Sequence, residues 1–169
     1  MQEALDRAAE APLPRTLIDI LRDTTEQYPD ASAVEDADGA VSYAELLAQV
    51  WRTAAVLREQ GVSQGDRVGI RMTSGRRDLY IAILGAMAAG AAYVPVDADD
   101  PQERADLVFR EARIVGMITD AGYLPADTSD ARQLFSSAAP HPSTSAVPVV
   151  TPPTVDDDAW IIFLSLIHI

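Results

Sequence analysis

The stretch from Arg67 to Asp120 decides the fold, because it contains three short strand patterns. Arg67-Val-Gly-Ile-Arg-Met72 alternates apolar residues with arginine or glycine, which is typical of a half-buried strand. Ala91-Ala-Tyr-Val-Pro-Val-Asp97 is a continuous apolar run, as in a strand buried on both faces. We expect this strand to end at Pro95, since proline has no N–H to donate to a neighbouring strand. Ile114-Val-Gly-Met-Ile-Thr119 supplies the third strand.

Helical patterns separate these strands. The first runs over 78–90, is apolar on nearly every side and ends at a glycine suited to a left-handed terminal position. The second is predicted to start with Asp100 as N-cap, Pro101 at the first helical position and Glu103 at the third, and to reach about Arg113. Two strand-helix-strand crossovers in sequence predict an α/β fold with a mainly parallel sheet flanked by helices.

Two helix-start signals precede this stretch. Thr16 followed by Asp19, and Ser42 followed by Glu45, each have the spacing of a capping box. Between the two predicted helices, short apolar runs on either side of an acidic turn at 36–39 predict a β-hairpin. Beyond Asp120, residues 121–155 are rich in Ala, Pro, Ser and Thr without a sustained period, so we expect a mobile surface segment there.

Composition excludes several classes of function. The 169 residues suit a single folding unit. A net charge of −13 disfavours nucleic-acid binding, and the lack of cysteine excludes thiolate metal sites. All 13 basic residues are arginine, which excludes a lysine acid, base or phosphate ligand. The acidic N-terminus and the absence of an apolar run of membrane-spanning length predict a cytoplasmic protein without membrane contact.

A candidate anion site lies between the first strand and the first helix of the central stretch. Thr73, Ser74 and Gly75 occupy the turn there, where backbone N–H groups and a helix N-terminus can receive an anion. The alternative is that the hydroxyl of Thr73 or Ser74 simply caps the helix, and this alternative is favoured.

Other polar clusters have simpler interpretations. Asp97, Asp99 and Asp100 lack the spacing of a calcium loop, and helix capping accounts for the last of them. His141 and His168 have no second ligand nearby in the sequence. We therefore assign no metal site and no catalytic residue.

Several motifs resemble those of adenylate-forming enzymes, and in particular of the adenylation domains of nonribosomal peptide synthetases. They are Leu84-Gly-Ala-Met-Ala-Ala-Gly-Ala-Ala-Tyr-Val-Pro-Val-Asp97 followed by Pro101-Gln-Glu-Arg104, the shorter Ser42-Tyr-Ala-Glu-Leu46, and Asp157-Asp-Ala-Trp-Ile-Ile-Phe163. The last resembles the strand that leads into the phosphate loop of the family. Only Ser165 matches that loop, and the glycines and lysine of the family are missing after it.

The resemblance implies an N-terminal, truncated part of such a domain. Residues 1–15 would be a lead-in, 16–163 a partial adenylation domain and 164–169 a non-matching tail. The parent enzyme would use ATP and Mg²⁺ to convert an amino acid to its adenylate and would load a phosphopantetheine carrier protein. Because the phosphate loop is incomplete, we expect this chain alone to bind no cofactor tightly and to be inactive. We also expect self-association through an uncovered apolar run at 160–163.

Three alternatives remain open. Acyl-CoA and aryl-acid ligases are near relatives within the same superfamily. A non-catalytic α/β module could bind an anion at Thr73, Ser74 and Gly75. A docking fragment within a larger assembly is the third, for which the proline-rich lead-in at 12–14 is the only support.

Overall fold

A computed structural model describes residues 13–126 and 152–163. The helices are α1 (Leu17–Gln27), α2 (Tyr43–Glu59), α3 (Arg77–Ala88) and α4 (Gln102–Ala112). The strands are β1 (Ser32–Asp36), β2 (Gly39–Ser42), β3 (Arg67–Arg71), β4 (Ala92–Pro95), β5 (Gly116–Thr119) and β6 (Gly122–Pro125). Within these described ranges, no helix combines the length and apolar character needed to cross a bilayer.

The sheet that the central stretch predicts is present. Its order is β4-β3-β5-β6, with β4 and β5 both parallel to β3. The strand that comes first in the chain therefore lies between the two that follow it. The predicted hairpin is also present, as an antiparallel pair of β1 and β2. The prediction of an α/β fold with a mainly parallel sheet is confirmed.

The sheet is covered by apolar side chains on both faces. Tyr93 and Ile118 contact the core shared with α1, α2 and α3, whereas their neighbours Val94 and Met117 contact the core under α4. This alternation follows from the opposite directions of successive side chains in a strand. Gly69 has no room for a side chain, because a Cβ there would lie 2.9 Å from the ring of Phe109.

Two local predictions need correction. Asp100 does not cap α4, which begins at Gln102 after Pro101; its carboxylate instead pairs with Arg104 at 3.2 Å. The segment predicted to be irregular from residue 121 includes β6, which pairs antiparallel with β5. Only two residues connect β5 to β6, which is enough to form a tight hairpin. The sequence did not reveal β6, because the run 122–125 is too short to show the alternating pattern of a strand. Residues 127–151 of that segment lie outside the described residues.

Candidate functional site

The carboxyl ends of β3, β4 and β5 meet at one edge of the sheet, because these three strands are parallel. In open α/β sheets, ligands bind at this edge. The loops after β3 and β5 are joined there by a hydrogen bond from the Thr73 hydroxyl to the Asp120 carboxylate at 3.0 Å. We call this region, formed by the loops after β3, β4 and β5, the carboxyl edge.

The start of α3 lies next to the predicted anion site. Gly75 has a φ of +79°, as the turn requires, and Arg76 is the N-cap without a side-chain hydrogen bond of its own. The favoured alternative for Thr73 and Ser74, capping of this helix, is therefore wrong. The cap is supplied from the hairpin: the Asp36 carboxylate accepts a hydrogen bond from the backbone N–H of Arg77 at 3.0 Å.

Two ion pairs add to this contact between the hairpin and α3. The guanidinium of Arg76 donates to Asp38 at 3.0 Å, and that of Arg77 lies 3.8 Å from Asp36. The pKa of Asp36 lies below its ordinary value, chiefly because the Arg77 backbone N–H stabilises the carboxylate. A carboxylate thus already lies at the positive end of the helix. Anion binding by Thr73, Ser74 and Gly75 stays a prediction.

The loop after β4 is held by Arg71 at the end of β3. Its guanidinium donates to the backbone carbonyl of Asp100 at 2.8 Å and to the side chain of Gln102. Within the loop, the Asp97 carboxylate accepts from the backbone N–H of Asp99 at 2.9 Å. These contacts hold the loop through the Asp97 side chain and the Asp100 backbone, whereas the capping predicted for Asp100 does not occur.

Residues 159–161 extend the sheet beyond β4. The backbone N–H of Tyr93 donates to the Ala159 carbonyl at 3.1 Å, and the N–H of Ile161 donates to the Tyr93 carbonyl at 3.0 Å. The resulting bridge between Tyr93 and Trp160 is parallel, so residues 161–163 lead toward the carboxyl edge. Ser165, the predicted phosphate-loop residue, lies outside the described residues.

The segment before this bridge is anchored by Asp157. Its carboxylate accepts from the side-chain amide of Gln64 at 2.9 Å and from the backbone N–H of Thr154 at 2.7 Å. The Thr154 N–H, followed by the Gln64 amide, lowers the pKa of Asp157 below its ordinary value. Sequence reasoning missed this anchor, since 93 residues separate Gln64 from Asp157.

A cleft of about 320 Å³ lies between this segment and the start of α1. Its walls are mostly apolar and include Pro14, Leu17, Met87, Val155 and Trp160. The cleft is open to solvent through side chains that are themselves exposed, with Leu17 at 50% and Val155 at 53%. No sequence pattern indicated it, because its two walls come from opposite ends of the chain.

The AMP-binding enzyme family model matches residues 21–166, which include every element from β1 to the bridge at Trp160. The chain belongs to this family. The match contains the carboxyl edge and the motifs that resemble adenylation domains.

Named relatives agree with this assignment. Syringomycin synthase SyrB1 from Pseudomonas syringae pv. syringae is 40% identical over 124 residues, which are 72% of this chain and 20% of the synthase. The nonribosomal peptide synthetase FmoA3, in an AMPPNP-bound crystal form, is 32% identical with a TM-score of 0.70 over 92% of this chain and 17% of that one. The chain thus spans a fifth or less of these two proteins.

A shorter structure also matches. The N-terminal subdomain of Klebsiella oxytoca NpsA, in complex with anthranilyl-AMSN, is 30% identical with a TM-score of 0.59. The alignment covers 63% of this chain and 28% of that one. The fold is that of an N-terminal subdomain of an adenylation domain, as predicted.

Proposed function

We propose that this chain is the N-terminal part of an adenylation domain that activates an amino acid with ATP and Mg²⁺ in cytoplasmic nonribosomal peptide synthesis. The acyl group would then pass to a phosphopantetheine carrier protein. The observation that carries the proposal is the family match over 21–166. It is supported by the parallel sheet within that match, which the segment around Trp160 extends beyond β4.

We expect that the described residues do not form an ATP site by themselves. The chain has no lysine, and Arg71, Arg76 and Arg77 are used in contacts with the protein's own loops. The positive end of α3 carries the Asp36 carboxylate, which would repel a phosphate group. We therefore assign no chemical step to these residues. Their role in the proposed function is to hold the carboxyl edge in place.

A graft tests whether this part is competent. Residues 16–163 would replace the matching segment of FmoA3, and amino-acid-dependent exchange between ATP and pyrophosphate would be measured. We expect exchange well above background, with the amino-acid preference of FmoA3, because the resemblance places the residues that select the amino acid after residue 169. A graft with a cooperative unfolding transition but no exchange would contradict the proposal.

The chain alone provides the matched control. The purified 169-residue protein should show no exchange, since it lacks a complete phosphate loop and any lysine. Exchange by the chain alone would refute the proposed inactivity. Measuring inorganic phosphate binding to the chain and to Ser74→Ala tests the anion-binding alternative: loss of binding in an intact variant would favour it.

A further inference from the structure

The guanidinium of Arg71 reaches three acceptors that follow β4 in the chain. It donates to the Asp100 carbonyl at 2.8 Å, to the Ala98 carbonyl at 3.4 Å and to the side chain of Gln102. We call residues 97–101 the β4 loop. A guanidinium is planar and carries five N–H donors in a fixed arrangement, so one side chain can hold several acceptors in place relative to one another.

Arg71 is the polar link between the β4 loop and the rest of the sheet. In the part of the chain that the structure describes, the other hydrogen bonds and ion pairs of the loop stay within it or go to α4. The Asp97 carboxylate accepts from the N–H of Asp99, and Asp100 pairs with Arg104. The position of the loop at the carboxyl edge therefore depends chiefly on Arg71.

The same contact fixes the first turn of α4. The Gln102 side chain accepts from Arg71 through Oε1 and donates through Nε2 to the Asp106 carboxylate at 2.7 Å. Its amide is thus held from both sides. Arg71 consequently anchors the chain on both sides of Pro101, at the end of the loop and at the start of the helix.

The β4 loop lies beside the segment that leads to the carboxyl edge from the opposite side of β4. Trp160 bridges β4 in parallel, and Ile161 contacts the same apolar core as Val96, the last residue before the loop. In a parallel pair that keeps this register, Phe163 lies level with Val96. The motif that ends at Phe163 resembles the strand that leads into the phosphate loop. In an adenylation domain, the β4 loop is then the neighbour of that loop.

We propose that Arg71 is a positioning residue for ATP: it holds the β4 loop against the phosphate loop and thereby sets the affinity for the nucleotide. Arg71 itself touches no substrate. Groups that bind a substrate must be held within a small distance of their productive positions, so a neighbouring loop that shifts weakens binding. The inference rests on the proposed function and deepens it, because it assigns one described side chain to nucleotide affinity.

The test uses Arg71→Gln in the FmoA3 graft, in which the phosphate loop of FmoA3 follows Phe163. Calorimetric titration measures the Kd of AMPPNP, and the exchange assay gives separate KM values for ATP and for the amino acid. We expect the Kd of AMPPNP and the KM for ATP to rise at least about tenfold, as for a modestly misplaced binding group. The KM for the amino acid should change little.

Arg67 supplies a matched control on the same strand. It lies at the other end of β3, is half-buried like Arg71, and its guanidinium donates to the Ala112 carbonyl at 2.9 Å. Arg67→Gln should lower the unfolding midpoint of the graft but leave the Kd of AMPPNP unchanged, because its contact lies at the edge of the sheet opposite to the carboxyl edge.

A second variant separates position from charge. Arg71→Lys keeps the positive charge but cannot present the planar arrangement of donors that three acceptors require. Its Kd for AMPPNP should therefore be close to that of Arg71→Gln. A Kd equal to that of the unsubstituted graft would show that Arg71 acts through its charge, and would overturn the positioning role.

The placement of the loop is also tested in the 169-residue chain itself. Backbone hydrogen exchange should become faster in the β4 loop of Arg71→Gln and stay unchanged in the β1–β2 hairpin. Unchanged exchange in the loop overturns the inference even if the graft does not fold. In a folded graft, an unchanged Kd for AMPPNP in Arg71→Gln, or an equal rise in Arg67→Gln, also overturns it.

Failure of the proposed function is distinguishable from these results. A graft that binds AMPPNP but performs no exchange contradicts the proposed function, while the Kd values of its variants still decide the role of Arg71. A graft that performs exchange with the same KM for ATP in Arg71→Gln supports the function and overturns the inference. A folded graft that binds no AMPPNP contradicts both.

Discussion

The carboxylate of Asp36 accepts a hydrogen bond from the backbone N–H of Arg77 at 3.0 Å, although 41 residues separate the two in sequence. Arg77 is the first residue of α3, and the side chain of Asp36 is only 4% exposed. Asp36, at the turn of the β1–β2 hairpin, therefore caps α3. It also supplies the negative charge that the helix dipole favours at this position.

Asp36→Asn should lower the free energy of unfolding, because the amide keeps an acceptor but loses the charge that interacts with the helix and with Arg77. Asp38→Asn is the matched control, since its pair with Arg76 is exposed at both partners and should contribute less. Urea unfolding followed by circular dichroism measures both. An equal loss in the two variants would show that the position of Asp36 has no special role.

Acid should destabilise the protein through four carboxylates. The pKa values of Asp19, Asp36, Glu45 and Asp157 all lie below their ordinary values, because N–H or O–H groups donate to the ionised forms. The unfolded chain therefore binds protons first as the pH falls. The stabilisation is fully present above about pH 5 and is lost as the pH falls through the ordinary carboxyl range into the lowered one.

Unfolding free energies measured from pH 7 to pH 2.5 check this dependence. The double variant Thr16→Ala and Ser42→Ala removes hydroxyl donors to Asp19 and Glu45 and should flatten the slope. Thr24→Ala is the control, because its hydroxyl donates to the Ile20 carbonyl and, within the described part of the chain, to no carboxylate. It should shift the whole curve without changing its slope. A slope unchanged in the double variant would contradict the assignment.

The sequence predicted those elements whose signals are local. Both capping boxes, at Thr16 with Asp19 and at Ser42 with Glu45, are confirmed, because four consecutive residues contain the whole interaction. The start of α4 was predicted wrongly. Asp100 and Pro101 fit a start signal, but the Asp100 carboxylate pairs with Arg104 instead of capping the helix.

Contacts between distant residues could not be predicted. The cap that Asp36 provides for α3 and the bond between Gln64 and Asp157 depend on the fold bringing separate segments together. Sequence reasoning found that residues 157–163 resemble a strand, but not that this strand pairs with Tyr93. It predicted the parallel strands but did not identify the carboxyl edge that they form.

The contact between α2 and α3 depends on Gly85. A Cβ at this position would lie 2.5 Å from Cγ2 of Thr53, so an alanine cannot fit without moving the helices apart. Gly85→Ala should destabilise the protein by about 1–3 kcal/mol despite the better helix propensity of alanine. Thermal and urea unfolding measure this cost. Adding Thr53→Gly removes both Cγ2 and the Cβ, which would lie at 2.6 Å, and should recover part of the loss, whereas additive costs would argue against a direct clash.

Self-association of the chain should increase with salt. Trp160, Ile162 and Phe163 form an exposed apolar run, but the neighbouring Asp156 and Asp158 are exposed and negative. The whole chain has a net charge of −13. Salt screens this repulsion within about 10 Å at 0.1 M and leaves the attraction between apolar surfaces. Sedimentation of the 169-residue chain at low and high salt measures the change. Trp160→Lys should abolish the association and Leu107→Lys should not; equal effects would place the contact elsewhere on the molecule.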